Sequence, residues 1–263
     1  MTDMISRRDF LKKTTIAVAG VLIPVAALEI LSPARVRALQ TDKDVQWVFL
    51  VDTFKCVGCG FCVKACKLEN EVPYDANASR TWVERYVLTR DGGFHADSPQ
   101  AGRDGFTDPR IDQNESGYLS IEPEEIDKAF FVPKLCNQCE RPPCVQVCPV
   151  GATFKAPDGV VLVDRTWCIG CGYCIMACPY GARFFHPVYN TAEKCTFCYH
   201  RITKGLRPAC VQECPFGARQ IGNLNDPDDP VTTVITTERV GVLRKEYGTK
   251  PQVFYVGLDR EVR

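Results

Sequence analysis

Histidine is scarce in this chain: His95, His186 and His200 are the three among 263 residues, and none lies in a zinc-protease or haem-attachment motif. They read as packing or surface side chains. The glycines spell neither a phosphate-binding loop nor a dinucleotide fingerprint, so nucleotide-driven chemistry has no signature here. Basic residues are not in excess, since 32 Lys and Arg stand against 32 Asp and Glu, and a nucleic-acid backbone finds nothing to grip. Beyond the amino-terminal stretch, no apolar run approaches the roughly 20 residues of a membrane-crossing helix. These absences argue against a hydrolase, a nucleotide-dependent enzyme, a nucleic-acid binder and a chain that crosses the bilayer repeatedly.

What is abundant is cysteine, with 16 residues. Disulfides, zinc and iron–sulfur clusters all explain such a density, and spacing separates them. Cys168 to Pro179 reads CIGCGYCIMACP, three cysteines at intervals of three, a fourth after three further residues, then a proline. In such a run three thiolates hold one cubic cluster while the fourth ligates another. A second run is therefore required, and Cys56, Cys59, Cys62 and Cys66 repeat the spacing. Two looser quartets follow, Cys136, Cys139, Cys144, Cys148 and Cys195, Cys198, Cys210, Cys214. The four quartets use every cysteine, which leaves no thiol free as a nucleophile. Structural zinc takes four ligands, usually as two separated CxxC pairs, and has no use for a third cysteine at this interval. In isolation the looser quartets would pass for zinc sites; in this company they read as cubanes too. The expectation is four [4Fe-4S] clusters and no catalytic residue.

The chain repeats itself. FLVDTFKCVGCGFCVKAC (Phe49 to Cys66) aligns with VLVDRTWCIGCGYCIMAC (Val161 to Cys178) at a constant offset of 112, and CPVGA, CPYGA and CPFGA begin at Cys148, Cys178 and Cys214. A loop wrapping a cluster needs positive φ, which predicts a structural role for Gly58, Gly60, Gly170 and Gly172. Pro149, Pro179 and Pro215 steer the chain away after a ligand, whereas Lys67 stands in that place in the first quartet. Phe61, Trp167, Tyr173 and Phe197, all beside ligands, read as packing that excludes water. Gln46 to Thr53 predicts a strand entering the first loop, and Val231 to Thr236 and Val253 to Val256 predict short closing strands. Between Cys66 and Cys136 lies a 69-residue insert whose middle, Glu84 to Phe130, has 11 acids against five Lys or Arg. It reads as an irregular solvated excursion, with a docking surface as a second reading; it lacks EF-type ligand spacing.

The amino terminus addresses the compartment. Ser6 to Lys12, SRRDFLK, resembles the twin-arginine export signal, and an apolar run of 18 residues follows from Thr14 to Leu31. Val36, Arg37 and Ala38 suit a signal peptidase, with the cut expected after Ala38. A retained membrane anchor is the competing reading, weakened by Gly20, Pro24, Glu29 and two threonines. Twin-arginine substrates cross already folded, which allows clusters to be inserted in a reducing compartment before export. Residues 1–38 hold six Lys or Arg and three Asp or Glu, so the mature chain keeps 26 positive against 29 negative groups.

With four quartets, their alternation of tight and loose spacing, and phrases such as KLCNQCERPPCVQVCPVGATF and CTFCYHR, the sequence resembles the four-cluster ferredoxin-like subunits of membrane-bound molybdopterin oxidoreductases, of polysulfide, tetrathionate and dimethyl sulfoxide reductase and nitrite-reduction type. The resemblance covers about Trp47 to Gln220. It implies an α+β fold of two pseudo-symmetric bacterial dicluster ferredoxin-like modules. The first takes 39–85 and 190–224 and the second takes 131–189, with an acidic loop insert at 86–130 and an extension at 225–263. It also implies exchanged fourth ligands: Cys56, Cys59, Cys62 with Cys214; Cys195, Cys198, Cys210 with Cys66; Cys136, Cys139, Cys144 with Cys178; Cys168, Cys171, Cys174 with Cys148. Spacing alone leaves another pairing open. The implied role is a periplasmic relay of single electrons between a polytopic, quinone-reactive membrane subunit and a large molybdopterin catalytic subunit. Rival readings are the same relay in a hydrogenase, multihaem cytochrome or quinone reductase complex, and a structural zinc or interaction protein.

Overall fold

The apolar run Trp47–Asp52 forms strand β1, and Val48, Phe49, Leu50 and Val51 are at most 2% exposed. A strand buried on both faces shows no polar alternation, which is why the run is continuous. The computed structural model describes residues 44–106 and 121–262, so the leader predicted over 1–38 and the middle of the insert lie outside the described residues. Helix α1 (Phe61–Glu69), strands β2 (Thr81–Thr89), β3 (Phe94–Asp97) and β4 (Ile126–Leu135), then helix α2 (Pro143–Gln146) follow β1. Strands β5 (Thr153–Lys155) and β6 (Val161–Val163), helix α3 (Tyr173–Met176), strands β7 (Phe184–Phe185) and β8 (Ala192–Glu193), and helices α4 (Tyr199–Ile202) and α5 (Ala209–Gln212) come next. Strand β9 (Arg219–Asn223), helix α6 (Pro230–Thr237), and strands β10 (Val240–Gly241) and β11 (Val253–Val256) complete the order. The fold is α+β with short strands and short helices, as expected.

β1 sits inside a four-stranded sheet of order β10-β11-β1-β9, parallel to β11 and antiparallel to β9. Its two faces do different work. Val48 and Leu50 pack with Val231 of α6, joined by Val234, Ile235, Phe254 and Val256 in an ordinary apolar core. Phe49, on the other face, stacks on Phe197 of the fourth quartet with ring centroids 5.4 Å apart. The sheet thus ties sequence-distant strands to the cysteine loops.

Two expectations are corrected. Val231 to Thr236 is helical, although its β-branched residues favour a strand. Local start signals win: the Asp229 carboxylate accepts from the amides of Val231 and Thr232 at the helix start, and Pro230 takes the first helical position. The threonines tolerate the helix because Thr233, Thr236 and Thr237 turn their hydroxyls back onto carbonyls of the preceding turn. The insert is also less irregular than expected. β2 extends to Thr89 and pairs with β3 and β4, forming a three-stranded antiparallel sheet of order β3-β2-β4. Its charges cross-link the strands: Arg85 grips Asp97 with two hydrogen bonds of 2.9 and 2.7 Å, and Lys134 lies 2.7 Å from Glu84. Tyr86 is flanked by Phe94 and Phe130 at 5.5 and 5.3 Å.

Replacing Asp229 by Ala should cost about 1 kcal/mol, the usual worth of such a cap. Amide exchange at Val231 to Thr233 should rise accordingly, with Asp229→Asn close to wild type; unchanged exchange in the Ala variant would contradict the capping role.

Candidate metal centres

The tight quartets are built alike. Gly60 and Gly172 precede α1 and α3 with φ of +75° and +76°, and a Cβ on Gly60 would meet the carbonyl oxygens of Arg103 and Gly102 at 2.3 and 2.4 Å. Only glycine fits there. Gly58 and Gly170 also adopt positive φ, so the four glycines singled out from sequence behave as expected. In the looser quartets Pro142 and Pro208 open α2 and α5, whose first turns carry Cys144 and Cys210. The three CPxGA segments share one turn, in which the amides of Gly151, Gly181 and Gly217 donate to the carbonyls of Cys148, Cys178 and Cys214 at 3.3, 3.4 and 3.3 Å.

Cysteines distant in sequence meet. Cys56, Cys59, Cys62 and Cys214 line one small pocket with Arg219 and Phe216. Burial drives the Cys66 thiol well above its ordinary range, and Cys210, Cys195 and Cys198 are close enough to push it further. Cys139, raised to about 12 by burial, feels Cys136, Cys144 and Cys178. Cys148 follows α2, which packs on α3 and its Cys174, while Cys144, Cys174 and the partly buried Cys168 share a packed cluster. All 16 thiols are free of disulfides. No group of three or more His, Cys, Asp or Glu among the described residues is gathered tightly enough to hold a single metal ion.

The residues fit a multi-iron group. Burial also raises Cys56 to about 11 and Cys195 to about 12, so these thiols ionise only against bound positive charge, which iron supplies. Donors converge on sulfur as well: the backbone amides of Thr153, Ala192 and Phe197 point at Cys148, Cys168 and Cys195 Sγ respectively, each from 3.4 Å. At Cys148 burial raises the thiol, but the amides of Thr153, Val150 and Ala152 outweigh it and hold the thiol below its usual range. Asn70 Nδ2 donates toward Cys66 and Cys198 Sγ at 3.5 and 3.8 Å, and is fixed by Arg80, which bonds Asn70 Oδ1 at 2.7 Å and pairs with buried Glu193 at 3.0 Å.

Cysteines of different quartets also lie near one another. Burial raises the Cys210 and Cys195 thiols, with Cys62 and Cys136 respectively close enough to add to the shift, and Cys144 packs with Cys174. Cys66, Cys195, Cys198 and Cys210 are all buried, as are Cys136, Cys139 and Cys144, whereas Cys56, Cys59, Cys148 and Cys168 are partly exposed and Cys171 is exposed. Cys62 and Cys174 are buried as well, and Cys178 and Cys214 are partly exposed. Two expectations about aromatics are corrected here: Phe197 is 1% exposed, but Phe61 and Tyr173 are 51% and 54% exposed and face outward instead of sealing the sites. Asn70, Arg80 and Glu193 are not legible in sequence, since no pattern marks them.

Comparison with known proteins agrees with this geometry. A family described as the 4Fe-4S dicluster domain matches at residues 55–152, and a second family of the same description matches at 127–224. One tetrathionate reductase subunit of Salmonella typhimurium is 39% identical over 258 residues, covering 97% of this chain and 89% of that protein. Its namesake in Archaeoglobus fulgidus is 41% identical over 222 residues, covering 84% of this chain and 87% of that protein. The arsenate respiratory reductase iron–sulfur subunit of a Shewanella species is 32% identical over 255 residues, covering 79% of this chain and 94% of that protein. The chain therefore belongs to the 4Fe-4S dicluster, ferredoxin-like iron–sulfur subunits of molybdopterin reductases, whose part in those complexes is electron transfer.

Proposed function

We propose that this chain passes single electrons between a quinone-reactive membrane subunit and a molybdopterin catalytic subunit, using four [4Fe-4S] groups held in single file. When bound, such groups supply one-electron oxidation and reduction. The protein's part is to hold, space and shield them. Site one is assigned to Cys56, Cys59, Cys62 and Cys214, and site two to Cys195, Cys198, Cys210 and Cys66. Site three takes Cys136, Cys139, Cys144 and Cys178, and site four takes Cys168, Cys171, Cys174 and Cys148. The proximity of Cys62 to Cys210 and of Cys136 to Cys195, with the packing of Cys144 on Cys174, carries this reading. The proposal takes sites one and two as one module and sites three and four as the other.

Each end of the file opens beside exposed apolar side chains, which supports a docked protein at both. Phe54 and Phe216 lie near site one with exposures of 81% and 51%, and Ile169 and Met176 near site four with 65% and 74%. Among the described residues no helix is long and apolar enough to cross a membrane. Membrane association is accordingly assigned to the partner, and export as a folded protein to the twin-arginine leader.

Anaerobically purified chain should contain 16 iron and 16 sulfide, that is four groups of four. Substantial zinc without sulfide would refute the reading. Cys66→Ser should perturb the group bound by Cys195, Cys198 and Cys210, seen by electron paramagnetic resonance; loss confined to the group of Cys56, Cys59 and Cys62 would reject the exchanged ligation. Replacing Arg7 and Arg8 by Lys should leave the loaded precursor in the cytoplasm, and undiminished export would reject the assigned route.

A further inference from the structure

The buried positive charges are not spread at random among these sites. Arg219 is 1% exposed and Arg183 is 4% exposed, and among the described residues neither pairs with a carboxylate. Arg219 has no hydrogen-bond partner for Nη1 or Nη2, and Arg183 has none for Nε or Nη2, although its Nη1 reaches Thr153 Oγ1 at 3.3 Å. A guanidinium stays ionised at any working pH, and one buried without a counter-charge is strongly unfavourable. Something of opposite charge belongs beside each.

Their positions match. Each arginine is the fifth residue after a cysteine of a CPxGA segment, Arg183 after Cys178 and Arg219 after Cys214; the third such segment, after Cys148, has Thr153 instead. The sheet register fixes Arg219 further, because it pairs across β1 with Val51, which pairs in turn with Tyr255 of β11. All three share the face opposite α6. The groups acting on Arg219 straddle two sites: burial lowers its pKa, but Cys62 and Cys56 of site one and Cys210 of site two outweigh burial and raise it. Burial likewise opposes the charge of Arg183, and Cys144 and Cys136 of site three and Cys174 of site four reverse the effect. Lys194 lies at the remaining junction, acting on Cys195 and Cys144, but its ammonium is already bonded to the carbonyls of Val161 and Cys195.

We propose that Arg219 and Arg183 are positioning residues for redox balance: each places one fixed positive charge at the junction of two neighbouring cluster sites and raises the reduction potential of both. This rests on the ligation and order proposed above. A cubane held by four thiolates is anionic, and reduction by one electron adds one negative charge. A fixed cation beside it therefore favours the reduced form. One charge serving two sites keeps their potentials moving together, which suits onward transfer between them.

The test is a reductive titration of the loaded full-length chain, followed by electron paramagnetic resonance, with iron and sulfide assayed in every variant. Arg219→Gln should lower two of the four midpoint potentials, Arg219→Lys should leave all four near wild type, and Arg183→Gln should lower the other two. Full iron with four unchanged midpoints in Arg219→Gln would overturn the proposal, as would equal shifts in the Gln and Lys variants. Should Arg219→Gln lose iron, Arg219→Lys decides: a full complement with native midpoints upholds the role of charge, and iron loss there too assigns the side chain to packing and overturns it. A wild-type chain without iron and sulfide would instead refute the relay reading, so the two failures are distinguishable.

Discussion

A thiolate buried away from water is unstable unless positive charge lies against it, and most of the 16 thiols here are buried or nearly so. That constraint organises the molecule. Four of the six described α-helices are single turns of four residues, too short to hold themselves together, and each carries or adjoins cysteines. The short sheets β5-β6 and β7-β8 are no larger. Such pieces cohere because bound metal replaces the missing apolar core and couples ligation to folding. The exception lies where β1 meets α6, and there Val48, Leu50 and Val231 form a core of the usual kind.

The same constraint sets the spacing of the sites. Cysteines from distant runs are drawn together, with Cys214 beside Cys56, Cys59 and Cys62, and Cys66 close to Cys195, Cys198 and Cys210. Hydrogen bonds to sulfur from Asn70 and from backbone amides then do what water would otherwise do for the bound charge. Arg80 and Glu193 hold Asn70 in place, and Glu193 also receives the half-exposed Arg165 at 2.8 Å, so a polar network forms beside Cys66 and Cys198. The sheet β3-β2-β4 supports the loop of Cys56, Cys59 and Cys62 from outside, where Phe131 lies against Gly58.

Much of this was legible because metal ligation is local and strict. The tight CxxCxxCxxxC spacing announces a cluster before any packing is known, and the repeat between Phe49 to Cys66 and Val161 to Cys178 announces its partner. Positive φ at Gly60 and Gly172 follows from the same loops. What sequence left unread depends on tertiary contact or on competing local signals. The insert looked irregular because its strands mix aromatic with charged residues, and Arg85 with Asp97 makes sense only once β2 lies beside β3. Val231 to Thr236 favours a strand on propensity alone, yet Asp229 and Pro230 start a helix there. Phe61 and Tyr173 sit beside ligands in sequence but on the outer side of their helices, a matter of helical phase that adjacency cannot show. Arg183 and Arg219 stood in plain view, both following a CPxGA segment, but their burial without carboxylate partners is a property of the folded chain alone.

The most direct test of the account is anomalous scattering at the iron edge from anaerobic crystals of the loaded protein. It predicts four multi-iron peaks, each bounded by three cysteines of one quartet and one of another, in the order that begins at Cys56 and ends at Cys171. Single-metal peaks, or peaks each enclosed by four cysteines contiguous in sequence, would contradict it.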